Sequence, residues 1–323
     1  MTSPETRPLP EKPRIIFFGT PGFAVPTLKS LVEKGHTILG VVTQPDRPKG
    51  RGRKLMPPPV KLAALELGLQ VIQPGKASDP EFCSRIDALS PDLLVVVAFG
   101  QILKKNLLEI PRWGALNIHA SLLPRYRGAA PIQWAVFNNE PSTGLSAMQM
   151  DEGLDTGPVL FQEEVLISEN ETAGELHDRL SGMAGRFILV VLENWSKGNI
   201  AKKEQDGSLS SYAPKIERHM TLIDWRKPSA AIHGQIRALD PWPGAATTLS
   251  GKQLKLFSSR RIKGDAQHGV PGRVIEIRDR GIVVEAGDGV IEAGTLQLAG
   301  KKRLPAGDFL RGFPLAEGTI LGG

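Results

Sequence analysis

The sequence predicts an α/β chain whose N-terminal part is a doubly wound, Rossmann-like sheet and whose C-terminal part is a small antiparallel β-barrel of OB-like form. Short aliphatic runs alternate with stretches of helical apolar spacing through the first part. One run, residues 92–98, is aliphatic almost throughout, as strands covered on both faces are. Beyond residue 215 short strands recur at even spacing with turn residues between them.

Taken in order, residues 14–19 read as a buried strand running into a glycine turn. A helix over 23–33 closes at Gly35, and a second strand covers 37–42. A loop rich in Pro, Arg, Lys and Gly spans 44–59, before a helix at 60–67 and a strand at 69–73. Strands at 92–98, 115–119 and 144–151, with a helix at 132–137, complete the sheet. Apolar positions at Leu176, Leu180, Met183, Phe187, Val190 and Val191 predict a long amphipathic helix over 171–195. The later strands fall at 253–257, 272–277, 281–285 and 289–298, after a helical piece at 232–239. The domain limits expected are an extended or disordered segment 1–13, a catalytic domain 14–203, a linker 204–215 and a barrel domain 216–323.

With 323 residues and 41% hydrophobic content, the chain is long enough for two packed cores. Cys83 is its single cysteine, so no intramolecular disulfide forms and no Cys/His cluster offers a metal site. The first thirteen residues lack the apolar core of a signal peptide, and no run has the length of a membrane span. A cytoplasmic enzyme without a metal is therefore expected. The 40 basic against 34 acidic residues give a formal charge of +6, a mild lean toward an anionic partner.

The chemistry-bearing residues cluster after the 115–119 strand. Period-two alternation puts Asn117 and His119 on one side of it. A loop with two prolines, a glycine and two arginines follows, from Ala120 to Pro131. Asp151, Glu152 and Asp155 then fall on a turn-rich segment after another strand, near the same sheet edge. Taken singly, His119 reads as a satisfied, partly buried histidine, Asp155 as a cap and the other acids as solvated. Gly19-Thr20-Pro21-Gly22 lacks the full glycine fingerprint of a dinucleotide site and reads as a tight turn.

Together, Asn117-Ile118-His119, Ser121-Leu122-Leu123-Pro124-Arg125-Tyr126-Arg127-Gly128 and Leu154-Asp155-Thr156-Gly157 resemble the folate-dependent formyltransferases, most closely those acting on methionyl-tRNA. Phe18-Gly19-Thr20-Pro21, Thr43-Gln44-Pro45-Asp46-Arg47-Pro48 and Val97-Ala98-Phe99-Gly100 support the likeness, which runs over nearly the whole chain. The resemblance implies 10-formyltetrahydrofolate as co-substrate and Asn117, His119 and Asp155 as the catalytic residues. It also implies that Ser121, Leu122, Leu123 and Pro124 line the folate site and that backbone around Val97, Ala98, Phe99 and Gly100 holds the pterin edge. Where the family often has Tyr, this chain has Phe99, without a hydroxyl. The implied acceptor is initiator methionyl-tRNA, contacted through Arg47, Lys49, Arg51, Arg53 and Lys54.

Elementary chemistry agrees with those residue types. Formyl transfer to an amine passes through a tetrahedral intermediate whose developing oxyanion needs donors, which an amide and an imidazolium supply. A carboxylate beside an imidazole favours the imidazolium and helps to move a proton near neutrality. No covalent intermediate is required. The basic loop, with no apolar anchor, is expected not to fold by itself and suits phosphate contacts on an RNA stem, although a charge run of this kind also reads as a solvated surface. Further basic residues, Lys252, Lys255, Arg260, Arg261, Lys263 and Lys301 to Arg303, lie among the later strands. Asp224-Trp225 and Pro241-Trp242-Pro243 are assigned to packing. A sugar or ribotide formyltransferase, an RNA-binding module with idle catalytic residues, and a folate hydrolase remain as alternatives. The chain is expected to be a monomer.

Overall fold

The computed structural model describes residues 7–49, 54–262 and 269–322. In chain order the elements begin with β1 (Arg14–Gly19), α1 (Val25–Glu33), β2 (Thr37–Val42), β3 (Arg47–Lys49), β4 (Lys54–Met56), α2 (Pro59–Glu66), β5 (Val71–Ile72), α3 (Pro80–Ala88), β6 (Leu93–Val97), α4 (Lys105–Leu108) and β7 (Ala115–His119). There follow β8 (Arg127–Gly128), α5 (Pro131–Phe137), β9 (Ser142–Gln149), β10 (Val159–Leu166), α6 (Ala173–Ser196), β11 (Tyr212–Ala213) and α7 (Ser229–Ala238). The last are β12 (Ala245–Leu249), β13 (Lys252–Ile262), β14 (Val274–Arg278), β15 (Gly281–Glu285), β16 (Val290–Leu298), β17 (Leu304–Pro305) and α8 (Ala306–Gly312).

These elements form two compact units. One comprises the chain through Gly128, Gly144–Val165 and His177–Tyr212; the other comprises Ala129–Thr143, Leu166–Leu176 and the chain from Ala213.

The first unit is built on a sheet of order β10-β9-β7-β6-β1-β2-β5. Its centre is parallel, from β5 through β2, β1 and β6 to β7, and β9 runs antiparallel to β7. All five residues of β6 are buried, which is why an unbroken aliphatic run forms it: both faces are covered, so no polar side chain has an outlet. The chain reverses direction of travel across the sheet between β1 and β6, and loops leaving the carboxyl ends there make the crevice used by open α/β sheets. The loops after β1, β2, β5 and β6 are tied together. The Thr20 hydroxyl donates to the Phe99 carbonyl at 2.7 Å, Gln44 Nε2 reaches the same oxygen at 3.4 Å, and Gln73 Nε2 donates to the Gln44 carbonyl at 2.8 Å.

Within this unit α6 buries Leu180, Ala184, Phe187, Ile188, Val191, Leu192 and Trp195, one stripe at helical spacing. It lies close to α1, since a Cβ at Gly185 would collide with Ser30 and crowd the Pro26 carbonyl. Residues 7–13 are anchored as well: Leu9 is buried, and the indole nitrogens of Trp113 and Trp195 donate to the Pro8 and Arg7 carbonyls.

The second unit contains an antiparallel sheet of order β12-β13-β16-β15-β14, with β17 added on β16. Inward residues from β12 to β16 meet α7, α8 and Trp225 in one cluster, including Ile232, Ile236, Leu254, Leu256, Val284, Ile291 and Phe309. A small barrel-like core results. Helix α5 clusters with this unit, as do Thr172 and Glu175. Those two form a capping box at the start of α6: the Glu175 carboxylate accepts from Thr172 N at 2.8 Å, and Thr172 Oγ1 accepts from Glu175 N at 3.2 Å.

The structure corrects two expectations. The basic stretch after β2 is not simply a loop, because β3 and β4 pair as a hairpin with Arg47 opposite Met56 and Lys49 opposite Lys54. Backbone pairing holds this ribbon without an apolar face. Residues 204–215, expected as a linker, bond through Gln205 and Ser211 to the sheet-edge loops. Trp242 is not a packing residue: it is 79% exposed, whereas Trp225 is buried with its indole nitrogen donating to Thr247 Oγ1.

Candidate active site

Strand β7 carries Asn117 and His119 to the sheet edge with Ile118 between them turned into the core, so both polar side chains emerge on one face. Asp155 comes from the loop after β9 and joins them. Its carboxylate accepts a hydrogen bond from Asn117 Nδ2 at 3.4 Å and lies 3.6 Å from His119 Nδ1. The three are nearly enclosed, with Asn117 9% and His119 6% exposed. The remaining ring nitrogen is engaged. His119 Nε2 stands 2.9 Å from the Tyr126 carbonyl, which only accepts, so Nε2 carries the proton. Nδ1 is left as the ring atom that faces Asp155 and any ligand, and it donates only when the ring is protonated.

Asp155 is held further by backbone and by the distant side chain of Gln205. Gly128 N donates to Oδ2 at 2.8 Å, and Asp155 itself adopts φ of 54°, a left-handed conformation that a non-glycine residue keeps only where its surroundings fix it. Gln205 supplies much of that fixation. Its Nε2 donates to the Asp155 carbonyl at 2.9 Å and the Gly157 carbonyl at 2.7 Å, while its Oε1 accepts from Arg127 Nε at 3.1 Å and Nη2 at 2.8 Å. One amide thus ties the acidic loop to the arginine loop. Gly157 is obligatory, because a Cβ there would collide with the Gln149 carbonyl. Asp151, by contrast, folds the turn, accepting from Gly153 N at 3.0 Å and from the Thr156 hydroxyl at 2.7 Å.

The loop after β7 is pinned with equal care. Ser146 Oγ on β9 donates to the Ser121 carbonyl at 2.6 Å and accepts from Leu123 N at 3.0 Å and Gln162 Nε2 at 2.8 Å, using its full capacity. Gln162 also donates to the Leu123 carbonyl at 3.0 Å, and Ser121 Oγ donates to the Arg125 carbonyl at 2.6 Å. Ser211 continues the pattern, with its hydroxyl accepting from Tyr126 N at 2.9 Å and its carbonyl from Arg127 N at 2.9 Å.

Of the residues expected to hold folate, Ser121 and Leu123 are buried in this scaffold while Leu122 and Pro124 keep open surface. Val97 and Phe99 are buried, and the Phe99 ring packs edge-on against Phe18 at 5.2 Å. Ala98 and Gly100 are exposed, both with positive φ, so their backbone is presented outward. Of the basic residues expected to meet RNA, Arg47 and Lys54 are exposed, and Arg47 Nη2 donates to Gln44 Oε1 at 3.1 Å. Lys49 lies in β3, and Arg51 and Arg53 lie outside the described residues. Gln205, Ser146, Gln162 and Ser211 were not among the residues singled out from the sequence. Only their tertiary partners distinguish them from ordinary polar residues. Among the described residues there is no group of three His, Cys, Asp or Glu placed to hold a metal ion.

An open α/β sheet presenting an amide, an imidazole and a carboxylate at one edge is the frame of a group-transfer enzyme. A family model for formyl transferase matches residues 13–192, and one for the formyl transferase C-terminal domain matches residues 215–314. Methionyl-tRNA formyltransferase of Citrifermentans bemidjiense is 48% identical over 309 residues, covering 96% of each chain. The enzyme of the same name from Geobacter metallireducens is 50% identical over 308 residues, covering 95% of this chain and 98% of its own. The chain belongs to the methionyl-tRNA formyltransferase family. In fold it is similar to HypX from Aquifex aeolicus solved with tetrahydrofolic acid, with a TM-score of 0.64 at 18% identity over 93% of this chain and 47% of HypX. It is likewise similar to WlaRD, a sugar 3N-formyl transferase solved with dTDP and 5-N-formyl-THF, with a TM-score of 0.65 at 21% identity over 90% of this chain and 98% of that one.

Proposed function

We propose that this chain transfers the formyl group of 10-formyltetrahydrofolate to the free amino group of initiator methionyl-tRNA, giving N-formylmethionyl-tRNA for translation initiation. The observation that carries the reading is the convergence of Asn117, His119 and Asp155, with Nδ1 the ring nitrogen of His119 left to face a ligand. The folate supplies an activated formyl carbon and a nitrogen leaving group.

The site residues then have separate tasks. Asn117 Nδ2 and protonated His119 Nδ1 donate to the oxygen that becomes negative when the amine adds to that carbon. Asp155 accepts a proton from the attacking amine, and a proton goes to the departing folate nitrogen as the carbon–nitrogen bond breaks. Amine, formyl carbon and leaving nitrogen balance without any bond to the protein. The exposed backbone of Ala98 and Gly100, with the open faces of Leu122 and Pro124, fits a flat heterocycle edged with donors and acceptors. Arg47, Lys49 and Lys54 of the β3–β4 ribbon, together with Arg51 and Arg53, meet phosphates of the acceptor RNA, residues 14–203 house the chemistry, and residues 216–323 bind RNA.

We read the chain as a cytoplasmic monomer; no helix among the described residues is long and apolar enough to cross a membrane. The deciding assay compares charged initiator and elongator methionyl-tRNA with a labelled formyl-folate donor. Saturable transfer to the initiator form, falling steeply with salt, is expected. Transfer to a sugar amine without tRNA, or release of free formate without acceptor, would overturn the reading.

A further inference from the structure

The five tryptophans of this chain fall into two groups. Four donate the indole N–H inside the protein, Trp113 to the Pro8 carbonyl at 3.0 Å, Trp134 to Pro214 at 2.7 Å, Trp195 to Arg7 at 3.1 Å and Trp225 to Thr247 Oγ1 at 3.0 Å. Trp242 has no such bond among the described residues and is 79% exposed. A large indole left in water gains nothing for folding, since its apolar face is the part that burial would stabilise.

Its position is nonetheless tightly built. Prolines flank it on both sides and restrict the backbone. Before the turn, the Asp240 carboxylate takes a bidentate pair from Arg303 at 2.8 and 3.2 Å and accepts from Ser258 N at 3.0 Å, and the Asp240 carbonyl accepts from Gly174 N at 3.0 Å. After it, the Pro243 carbonyl accepts from Lys255 Nζ at 2.7 Å, and Gly244 N donates to the Leu239 carbonyl at 2.8 Å. Gly244 has φ of 86°, and a Cβ there would lie 2.8 Å from the Phe257 ring. The ring therefore stands on an anchored turn and loses little backbone freedom on meeting a partner.

The surroundings are cationic. Lys255 bonds a carbonyl rather than a carboxylate, so its charge is not neutralised there. Lys255 also lies opposite Gln297 in the β13–β16 ladder, and Gln297 Nε2 donates to the Lys301 carbonyl at 3.0 Å, which ties the turn carrying exposed Lys301 to that ladder. A flat π-surface fixed beside Lys255, which has no carboxylate partner among the described residues, matches a partner offering both a flat base and negative phosphates. A second protein surface would require neither feature.

We propose that Trp242 is a stacking platform for one unstacked base of the tRNA, with Lys255 and Lys301 on the adjoining phosphates. This rests on the tRNA reading above and adds a contact to it. Two measurements separate the two ideas: direct tRNA titration by tryptophan fluorescence, and formyl transfer by the unaltered enzyme. Trp242→Ala should weaken tRNA binding roughly five- to hundredfold, raise KM for methionyl-tRNA correspondingly, leave KM for the folate unchanged and abolish most of the tRNA-induced quenching. Trp242→Phe should retain most of the affinity, and Lys255→Ala should lower the salt slope of binding by about one, which Trp242→Ala should not. Unaltered tRNA affinity in a folded Trp242→Ala variant would overturn the platform while leaving the function standing, as would loss of self-association with tRNA binding intact. Absence of formyl transfer by the unaltered enzyme would overturn the function, and the quenching titration would still decide the platform.

Discussion

Two histidines of this protein are about equally buried and are bound in different ways. His119, at the edge of the first unit's sheet, is 6% exposed; His233, on α7 in the second unit, is 2% exposed. His119 has one neutral partner, the Tyr126 carbonyl, and on its other side a carboxylate at 3.6 Å. His233 is closed on both sides, with Nδ1 2.9 Å from the Ser259 hydroxyl and Nε2 3.1 Å from the Glu169 carbonyl. Burial first, and the nearby Arg237 charge next, push its pKa down to about 4. The comparison teaches that enclosure alone does not make a histidine chemically useful. What matters is whether one ring nitrogen is left facing a charge and an opening.

The sharpest way to break that contrast is to remove each ring. His119→Ala, like Asn117→Ala, should lower kcat on the order of a hundredfold or more, the usual cost of losing an oxyanion donor, while His233→Gln should leave kcat of the folded enzyme close to normal. Single-turnover formylation of initiator methionyl-tRNA makes the comparison, and a small loss for His119→Ala would refute its role. Next in size is Gln205→Ala. Freeing the Asp155 loop from Arg127 should cost kcat roughly tenfold, as a small misplacement of a reacting group does, with little change in KM for either substrate. A loss confined to KM would instead make Gln205 a binding residue.

His233 also predicts a pH dependence of stability. Its folded pKa, about 4, lies below the ordinary imidazole value of 6.5 expected of the unfolded chain. The unfolded state therefore takes up a proton that the folded state refuses, and stability falls as pH drops from about 6.5 to about 4, by up to roughly 3 kcal/mol. Denaturant melts at pH 7 and pH 4.5 should show this loss, and His233→Gln should flatten it. A smaller effect belongs to the hairpin: Arg47→Ala and Lys54→Ala should each raise KM for tRNA a few-fold and reduce its salt dependence by about one. Cys83→Ala is the smallest. The thiol is buried among Phe82, Ile86 and Leu107, and burial raises its pKa, so turnover should be unchanged with only a slight stability cost.

The legible parts of the fold were those whose composition records burial on both faces. β1 and β6 announce themselves as aliphatic runs, and Asn117 and His119 share a side of β7 by simple alternation. Elements with a thin apolar signal were missed. α3 buries only Phe82, Cys83 and Ile86, and β10 alternates half-buried with exposed residues over Phe161–Leu166. The β3–β4 ribbon is held by backbone bonds, to which side-chain pattern is blind. In the site, Gln205 was hidden in a polar stretch that reads as a tether, because its importance lies in carbonyls some fifty residues earlier.

The sequence by itself determined the central strands of the sheet and the side of β7 that Asn117 and His119 share, since local periodicity is a property of the chain alone, while Asp155 was marked only by resemblance to a family motif. Tertiary structure decided which carboxylate meets the imidazole, which ring nitrogen is committed to Tyr126, and that Trp242 stands in solvent while Trp225 does not. Those outcomes depend on contacts between residues far apart in the chain, where hydrogen-bond geometry and available space, rather than residue type, select the partner.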